Sequence, residues 1–461
     1  MRLCEKMFRP IGAKGAKINA GTLIMSKGFR LFLFFISLTF STFSQSWTPL
    51  SNGTNNIVNG LFSFQGNLYA TGYFDSAGTI KANGIVAWDG MQWNDVSNGI
   101  RPAGGYTFAE YDSSLIVGGI YDTAGILPVN NIARWDGLHW NQLRNGSATT
   151  VTALQVYNSD LIASGKFDTG GTGVYNFNFA KWDGLRWSAF GNTNNVVGAM
   201  GVYNNELYIA GSFDELNNSN LLAEHILRWD GTNWADVDSG FGGIPYTMIE
   251  YNNELVIAGD FEHVGVAQPY NHIVKWNGSS WSALGDGTNN WISALAVFNG
   301  ELYAAGGFDS AGSVAANKIA KWNGSSWQAV GAGFDDWVIS LAVHNNDLYA
   351  CGFFQNSGTT SVRHIAKLNT GTNISSENTA PVSFSVHPNP ASSLVYIQQN
   401  GNIDEKSFYI LSNELGQCLR KIKCTGAQQT ISIADLEEGI YFLEFRSELA
   451  SFRKTFCVLR K

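Results

Sequence analysis

The phrase "IVKWNGSSW", Ile273 to Trp281, returns 46 residues later as "IAKWNGSSW", Ile319 to Trp327. Collecting every Trp-Asp/Asn-Gly-x-x-Trp places first tryptophans at 88, 135, 182, 229, 276 and 322, and second ones at 93, 140, 187, 234, 281 and 327. The period is 46 to 47 residues, the length of a structural repeat. A second phrase keeps the same beat: "NLYATGYF", "SLIVGGIY", "DLIASGKF", "ELYIAGSF", "ELVIAGDF", "ELYAAGGF" and "DLYACGFF". It occurs seven times, whereas the intact Trp pair occurs six times. The missing pair is split between the ends of the array. "IAKLNTGTN" puts Leu368 where a first tryptophan belongs, and "SQSWTPLSNG" supplies Trp47 with no partner upstream.

One unit reads as four short strands, here called A to D: "ISALAVFN", "ELYAAGGF", "NKIAKW" and "WQAVG". Each is rich in Val, Ile and aromatics and is bounded by Asn, Asp or Gly. The A to B turn carries Asn-Gly or Asn-Asn and the C to D turn Asp/Asn-Gly, residues that accept the positive φ of tight hairpins. Four such strands cannot bury both faces alone, but radial stacking buries them. The expectation is an all-β chain: a seven-bladed β-propeller over residues 45–372, whose last blade borrows its D strand from the N-terminus, followed by a small C-terminal β-sandwich. In its Gly-Gly "AGGF", its aromatic Trp322 and its Trp327, the unit resembles the kelch repeat and galactose-oxidase-like propellers. Here Trp stands at the usual Tyr position, and the glycine pair is reduced to one at Gly72, Gly165 and Gly211.

Thirteen of the 15 tryptophans are repeat copies. A buried aromatic covers roughly 150 to 250 Å², worth about 4 to 6 kcal/mol as an upper bound. Recurrence in nearly every unit therefore points to packing between blades. The residue closing strand B is acidic in six copies, Asp75, Asp122, Asp168, Asp214, Glu262 and Asp309, and Gln355 in the seventh. An Asx-type cap on the following loop accounts for it. The triplets "DSA" (Asp75–Ala77 and Asp309–Ala311) and "DTA" (Asp122–Ala124) also resemble the O-glycosylation acceptor pattern of Bacteroidetes secreted proteins.

Ahead of the repeats, "MSKGFRLFLFFISLTFSTFSQSW" has Lys27 and Arg30, an apolar run from Leu31 to Phe40, and small residues at Thr42 and Ser44, the order of a secretory signal. Its apolar run is too short to span a bilayer. Residues 1–44 are expected to be an N-terminal extension and signal peptide, with Met25 as an alternative start and Gln45 as the first mature residue. Residues 45–381 hold 13 Lys/Arg against 28 Asp/Glu, a net charge of −15, which excludes binding to a nucleic-acid backbone.

Function is expected where the repeat breaks its own pattern. The A to B and C to D turns lie on one side of the disc and are short. The B to C and D to A loops share the other side and vary, as in "SNGIRPAGGYTF" and "GAGFDDWV". The two tryptophans outside the repeat, Trp291 and Trp337, each stand eleven residues before a strand B leucine, in consecutive units, beside the expected central channel. A ligand site is expected there, flanked by Asp335 and Asp336 and reached by Arg101, Tyr106 and Tyr246. The alternative role for the pair is to plug the channel.

After a polar linker, residues 373–381, the chain resumes at residue 382 with alternating strands. Bottom-up, these read as a β-sandwich. Pro388-Asn389-Pro390, Gly416, Leu436 with Gly439 and Tyr441, and a basic final strand ending at Lys461 resemble the type IX secretion C-terminal sorting domain of Bacteroidetes. The resemblance implies the secretion machinery as partner, removal of the tail, and a secreted or outer-cell-surface location. Cys418, Cys424 and Cys457 fall in this segment, with their pairing left open.

Two function classes follow: a binding module for a glycan or protein, and a propeller enzyme acting on polysaccharide, a glycosidase or lyase. The binding module is preferred. The seven histidines form no motif-spaced cluster, and no GxSxG, HExxH or phosphate loop is present. No catalytic residue, cofactor or metal is expected.

Overall fold

The computed structural model describes residues 45–168, 175–217, 221–238, 240–265, 268–370, 383–387, 391–400, 407–413, 417–426, 428–446 and 451–460. The signal segment, Pro388, Asn389, Pro390 and Gly416 lie outside these. The fold is all-β, with no helix among the described residues.

Between Ser46 and Asn369 the described residues include seven antiparallel sheets with four principal strands each, in the order A, B, C, D, and five smaller sheets of two or three short strands. In the sixth, Ile292–Phe298 pairs with Glu301–Gly306, then Ile319–Trp322, then Trp327–Ala329. Its two tryptophans sit directly opposite each other, as do those of the other five intact pairs. In the seventh, Val338–His344, Asp347–Gly352 and Ile365–Asn369 come from the end of the array, and Ser46–Pro49 takes the D position. There Trp47 lies opposite Leu368, the same register as Trp327 opposite Trp322. The A strands neighbour one another in chain order, and that of the seventh sheet also neighbours that of the first.

The hairpins follow from local chemistry. A to B turns carry two successive positive-φ residues, such as Asn299 and Gly300 at 52° and 76°, the type I′ form that matches strand twist. C to D turns differ from the expected form: only the glycine is left-handed, as at Gly324 (φ 97°). The preceding Asp or Asn acts through its side chain. Asp89 Oδ1 accepts the Met91 and Gln92 N–H groups at 2.8 and 2.9 Å, and Asp136, Asp183, Asp230, Asn277 and Asn323 repeat the arrangement. The N–H groups of His139 and Leu138 hold the Asp136 carboxyl below the usual range, and those of Arg186 and Leu185 do the same for Asp183.

The hydrophobic clusters lie between sheets, and each joins one sheet to the next. One of them joins Tyr349, Cys351 and Ile365 of the seventh sheet to Val58, Ala70 and Trp93 of the first. Within each intact pair the tryptophan rings are 4.6 to 5.4 Å apart. Several second tryptophans also donate Nε1–H to a carbonyl of the preceding sheet: Trp140 to Val96, Trp187 to Leu143 and Trp327 to Leu284, each at 3.0 Å. Trp47 donates to Val330 at 3.2 Å in the same way. These four indoles thus fill a gap between sheets and satisfy their one donor there, whereas the buried Nε1–H groups of Trp93 and Trp281 fill the same place without a hydrogen-bond partner.

The C-terminal segment is a two-sheet sandwich. Ser383–His387, Leu394–Asn400 and Gln428–Ser432 form one sheet; Cys418–Lys423, Phe408–Asn413, Gly439–Arg446 and Ser451–Val458 form the other. Both contribute to one core containing Val395, Ile431, Leu411, Leu443 and Phe456. Leu436 is buried in it, and Tyr441 packs on Phe456 while donating its hydroxyl to the Glu437 carbonyl at 3.0 Å.

Candidate functional site

In the first, second, fourth, sixth and seventh sheets, a residue at the start of strand A faces the residue that follows the last glycine of strand B. The backbone N–H of the second donates to the carbonyl of the first: Gly307 to Trp291 at 3.0 Å, Phe353 to Trp337 at 2.9 Å, Tyr73 to Ile57 at 2.9 Å. These facing positions lie on the loop-rich side of the sheets.

The Trp291 and Trp337 rings meet edge to face, with centroids 5.3 Å apart and planes at 75°. Tyr246 joins from the fifth sheet, 6.5 Å from Trp291 at 84°, and Phe353 from the seventh, 5.5 Å from Trp337 at 64°. The four rings form a continuous arc in which exposed and half-buried members alternate. Trp337 is 44% exposed and Tyr246 39%, while Trp291 and Phe353 are half-buried. Gly307 makes the seat for Trp291: a Cβ there would lie 2.5 Å from the indole Cε2. The equivalent positions carry Tyr73, Ile120, Lys166, Ser212, Asp260 and Phe353, so only the sixth sheet leaves this space.

Tyr106 pairs with Tyr73 rather than with the tryptophans. Their rings are 6.1 Å apart at 81° and their hydroxyls are hydrogen-bonded. Burial, reinforced by that bond, pushes the Tyr106 phenol up to about 12. Arg101 lies in a short accessory strand, Ile100–Arg101, and its guanidinium donates to the Asn98 carbonyl at 3.4 Å.

Asp335 and Asp336 have scaffold partners. In other sheets the corresponding pair is Asn-Asn: Asn289 Oδ1 accepts the N–H groups of Asp309 and Ser310 at 2.9 and 3.0 Å, and Asn290 Oδ1 accepts that of Trp291 at 2.8 Å. Asp335 Oδ1 likewise accepts the N–H groups of Gln355 and Asn356, both at 2.9 Å, and its Oδ2 accepts the Asn356 side-chain amide at 2.7 Å. Asp336 Oδ1 accepts the Trp337 N–H at 2.8 Å. Burial alone would raise the Asp335 carboxyl, but the hydrogen bonds from Asn356 and Gln355 outweigh it and hold it below the usual range. The acid closing strand B therefore does not cap its own loop. In the first sheet Asn55 supplies the acceptor, and its amide donates to Asp75 Oδ1 at 2.7 Å. In the seventh sheet the carboxylate sits on the opposite loop as Asp335, and position 355 is Gln, so no two carboxylates face each other.

Sequence reading missed Phe353, Tyr73 and Gly307. Their signal is positional: each follows the last glycine of strand B, a place that shows no common residue type along the array. The displaced carboxyls among the described residues, Asp89, Asp136, Asp183, Asp230, Asp335 and Asp435, all lie below the usual range, the opposite of what a general acid needs. Burial pushes the Cys351 thiol well up, which leaves it a packing residue.

Residues 385–458 match the family described as Secretion system C-terminal sorting domain. The tail is a sorting domain. It marks a protein exported by the type IX secretion system to a secreted or cell-surface location, and it is the segment that engages that machinery. Leu436, Gly439 and Tyr441 of the sorting domain lie within the match. No curated protein matches the chain. Among solved structures, the chain is similar to PorZ of Porphyromonas gingivalis, described as an essential bacterial surface component of the type-IX secretion system, at 12% identity and a TM-score of 0.28, over 90% of this chain and 85% of that one. It is also similar to BamB from Moraxella catarrhalis, at 9% identity and a TM-score of 0.32, over 72% of this chain and 95% of that one. A third is a protein of unknown function from Bacteroides thetaiotaomicron, at 9% identity and a TM-score of 0.34, over 70% of this chain and 99% of that one.

Proposed function

We propose that residues 45–372 form a seven-bladed, kelch-like β-propeller closed by Ser46–Pro49, and that it is a non-enzymatic binding module for a glycan or protein ligand. Support for the ring comes from the Trp47 to Leu368 register, from the hydrophobic cluster joining seventh and first sheets, and from the contact between their A strands. Residues 1–44 act as extension and signal peptide, and residues 373–381 link the propeller to the sorting domain.

The observation that carries the binding role is the exposed Trp337 held edge-on against Trp291. The repeat tryptophans pack between sheets; this one faces solvent on the loop-rich side, where a rigid aromatic platform can contact a ligand at small entropic cost. Screening the secreted protein against glycan and protein arrays tests it. Trp291→Ala and Trp337→Ala should each weaken the best hit while the protein stays folded. Unchanged binding by both variants would sink the reading. Mass spectrometry of the extracellular form should find Gln45 as the first residue and residues 382–461 removed; their retention would count against tail cleavage.

A further inference from the structure

The arc does not stand in neutral surroundings. Residues 197–286, covering the fourth and fifth sheets and the loop beyond, hold twelve Asp/Glu and two Lys/Arg. Both cations are committed: Arg228 to Glu206 at 2.9 Å and Lys275 to Glu254 at 2.5 Å. Asp260 is exposed and lies opposite Ile244 in the register, two residues from Tyr246, and its charge helps to hold the Tyr246 phenol above its usual value, after burial. Its Oδ1 is 3.9 Å from Nδ1 of His272. His272 is only 9% exposed and lines a cleft of about 350 Å³ together with Glu262 and Asp286. Its Nδ1 makes no hydrogen bond, whereas Nδ1 of His225 and His364, at the equivalent positions, donates to a glycine carbonyl at 3.1 Å. Tyr246 thus lies near Asp260, Asp260 beside His272, and His272 lines the cleft with Glu262 and Asp286, so aromatic faces and carboxylates follow one another.

We infer that the ligand of the channel mouth is a basic segment of a partner protein, whose Lys or Arg side chains lie on Tyr246 and Trp337 and place their charges against Asp260, Glu262 and Asp286. This rests on the binding role proposed above and gives it a chemistry. Aromatic faces attract cations through the ring quadrupole and accept the aliphatic stems of Lys and Arg. Uncompensated carboxylates steer and hold positive charge. A neutral glycan could donate its hydroxyls to the carboxylates but would gain nothing from their net charge, and an anionic one would be repelled.

The test is fluorescence anisotropy of a labelled oligolysine peptide with the full secreted protein, alongside oligoglutamate and an uncharged oligosaccharide panel. Oligolysine should bind and weaken at least about tenfold between roughly 0.03 and 0.3 M salt. Asp260→Asn combined with Glu262→Gln should weaken it about tenfold or more, and Trp337→Ala about two- to fivefold. Glu110→Gln, outside the acidic sector, should leave it unchanged; an equal loss there would reduce the effect to general charge attraction and overturn the inference. An uncharged oligosaccharide bound in a Trp337-dependent way, with oligolysine indifferent to Trp337→Ala, would overturn the cationic chemistry and leave the binding role standing. If no ligand responds to Trp337→Ala, both fall.

Discussion

Trp187 and Trp337 are the same side chain in two regions of one scaffold. Trp187 lies between the second and third sheets, 3% exposed, with its ring 4.2 Å from Phe167 and 5.3 Å from Trp182, and its Nε1–H on the Leu143 carbonyl. Trp337 lies on the loop-rich side of the seventh sheet, 44% exposed, with one indole and one phenyl edge for company. The first recurs with the repeat because every junction between sheets presents the same gap. The second recurs once, in the adjacent sheet, because nothing in the packing of a sheet requires it. Repetition here marks stability, and departure from it marks the exposed surface.

Substitutions can break this contrast. The largest effect is expected at Trp47, the repeat tryptophan supplied from the far end of the chain. Trp47→Ala should cost about 3 to 5 kcal/mol by denaturant titration, against about 1 to 2 kcal/mol for Trp337→Ala, which loses two aromatic edges. A comparable loss at both sites would erase the distinction. Next comes the carboxylate that changed loops. Asp335→Asn alone should cost about 1 kcal/mol by weakening hydrogen bonds to a charged acceptor. Adding Gln355→Asp recreates the arrangement of the sixth sheet and should recover part of that loss, a coupling of roughly 0.5 to 1 kcal/mol in a double-mutant cycle. Strict additivity would show that the two loops are independent.

The smallest effect concerns the junction of the seventh and first sheets. His344 is buried, accepts from the Asn345 amide at Nε2 (2.9 Å) and donates from Nδ1 to Ser63 Oγ (2.8 Å), so the geometry requires the neutral ring. Burial lowers its pKa, with Asp347 opposing and Lys367 assisting. The neutral form is therefore favoured by folding. Its contribution is complete above the unfolded value of about 6.5 and declines as pH falls from there toward the lower folded value. Melting temperatures should drop more between about pH 7 and about pH 5 for the native protein than for His344→Gln. A parallel drop in the two proteins would remove this histidine from the account.

Some local structure was legible and some was not, for physical reasons visible in particular residues. The A to B turns were legible because a positive φ restricts residue type. At the C to D turns the residue types were right and the reason was different: Asp and Asn act as side-chain acceptors while glycine alone takes the left-handed backbone. A repeated ion pair went unread. Arg134 with Asp112, Lys181 with Asp160, Arg228 with Glu206, Lys275 with Glu254, Lys321 with Glu301 and Lys367 with Asp347 each bridge strand C to strand B or the turn before it. The first sheet has Ala87 and Asn67 in their places, so both charges disappear together. Such pairs, most of them half-buried at the sheet surface, contribute about 1 kcal/mol or less each.

The sequence by itself determined the repeat, its period, its four strands and the split seventh unit, because each rests on residue types recurring at fixed local spacing, and the sorting domain was legible from short motifs in a fixed order. It also singled out Trp291 and Trp337 as the pair the repeat does not require. Only the tertiary structure decided which neighbours they have. The Gly307 seat, the Tyr246 and Phe353 edges, the capture of Asp335 by Gln355 and Asn356, and the nearness of Asp260 to His272 all join residues from different strands or sheets. Such contacts depend on how strands cross and sheets stack, which leaves no periodic trace along the chain.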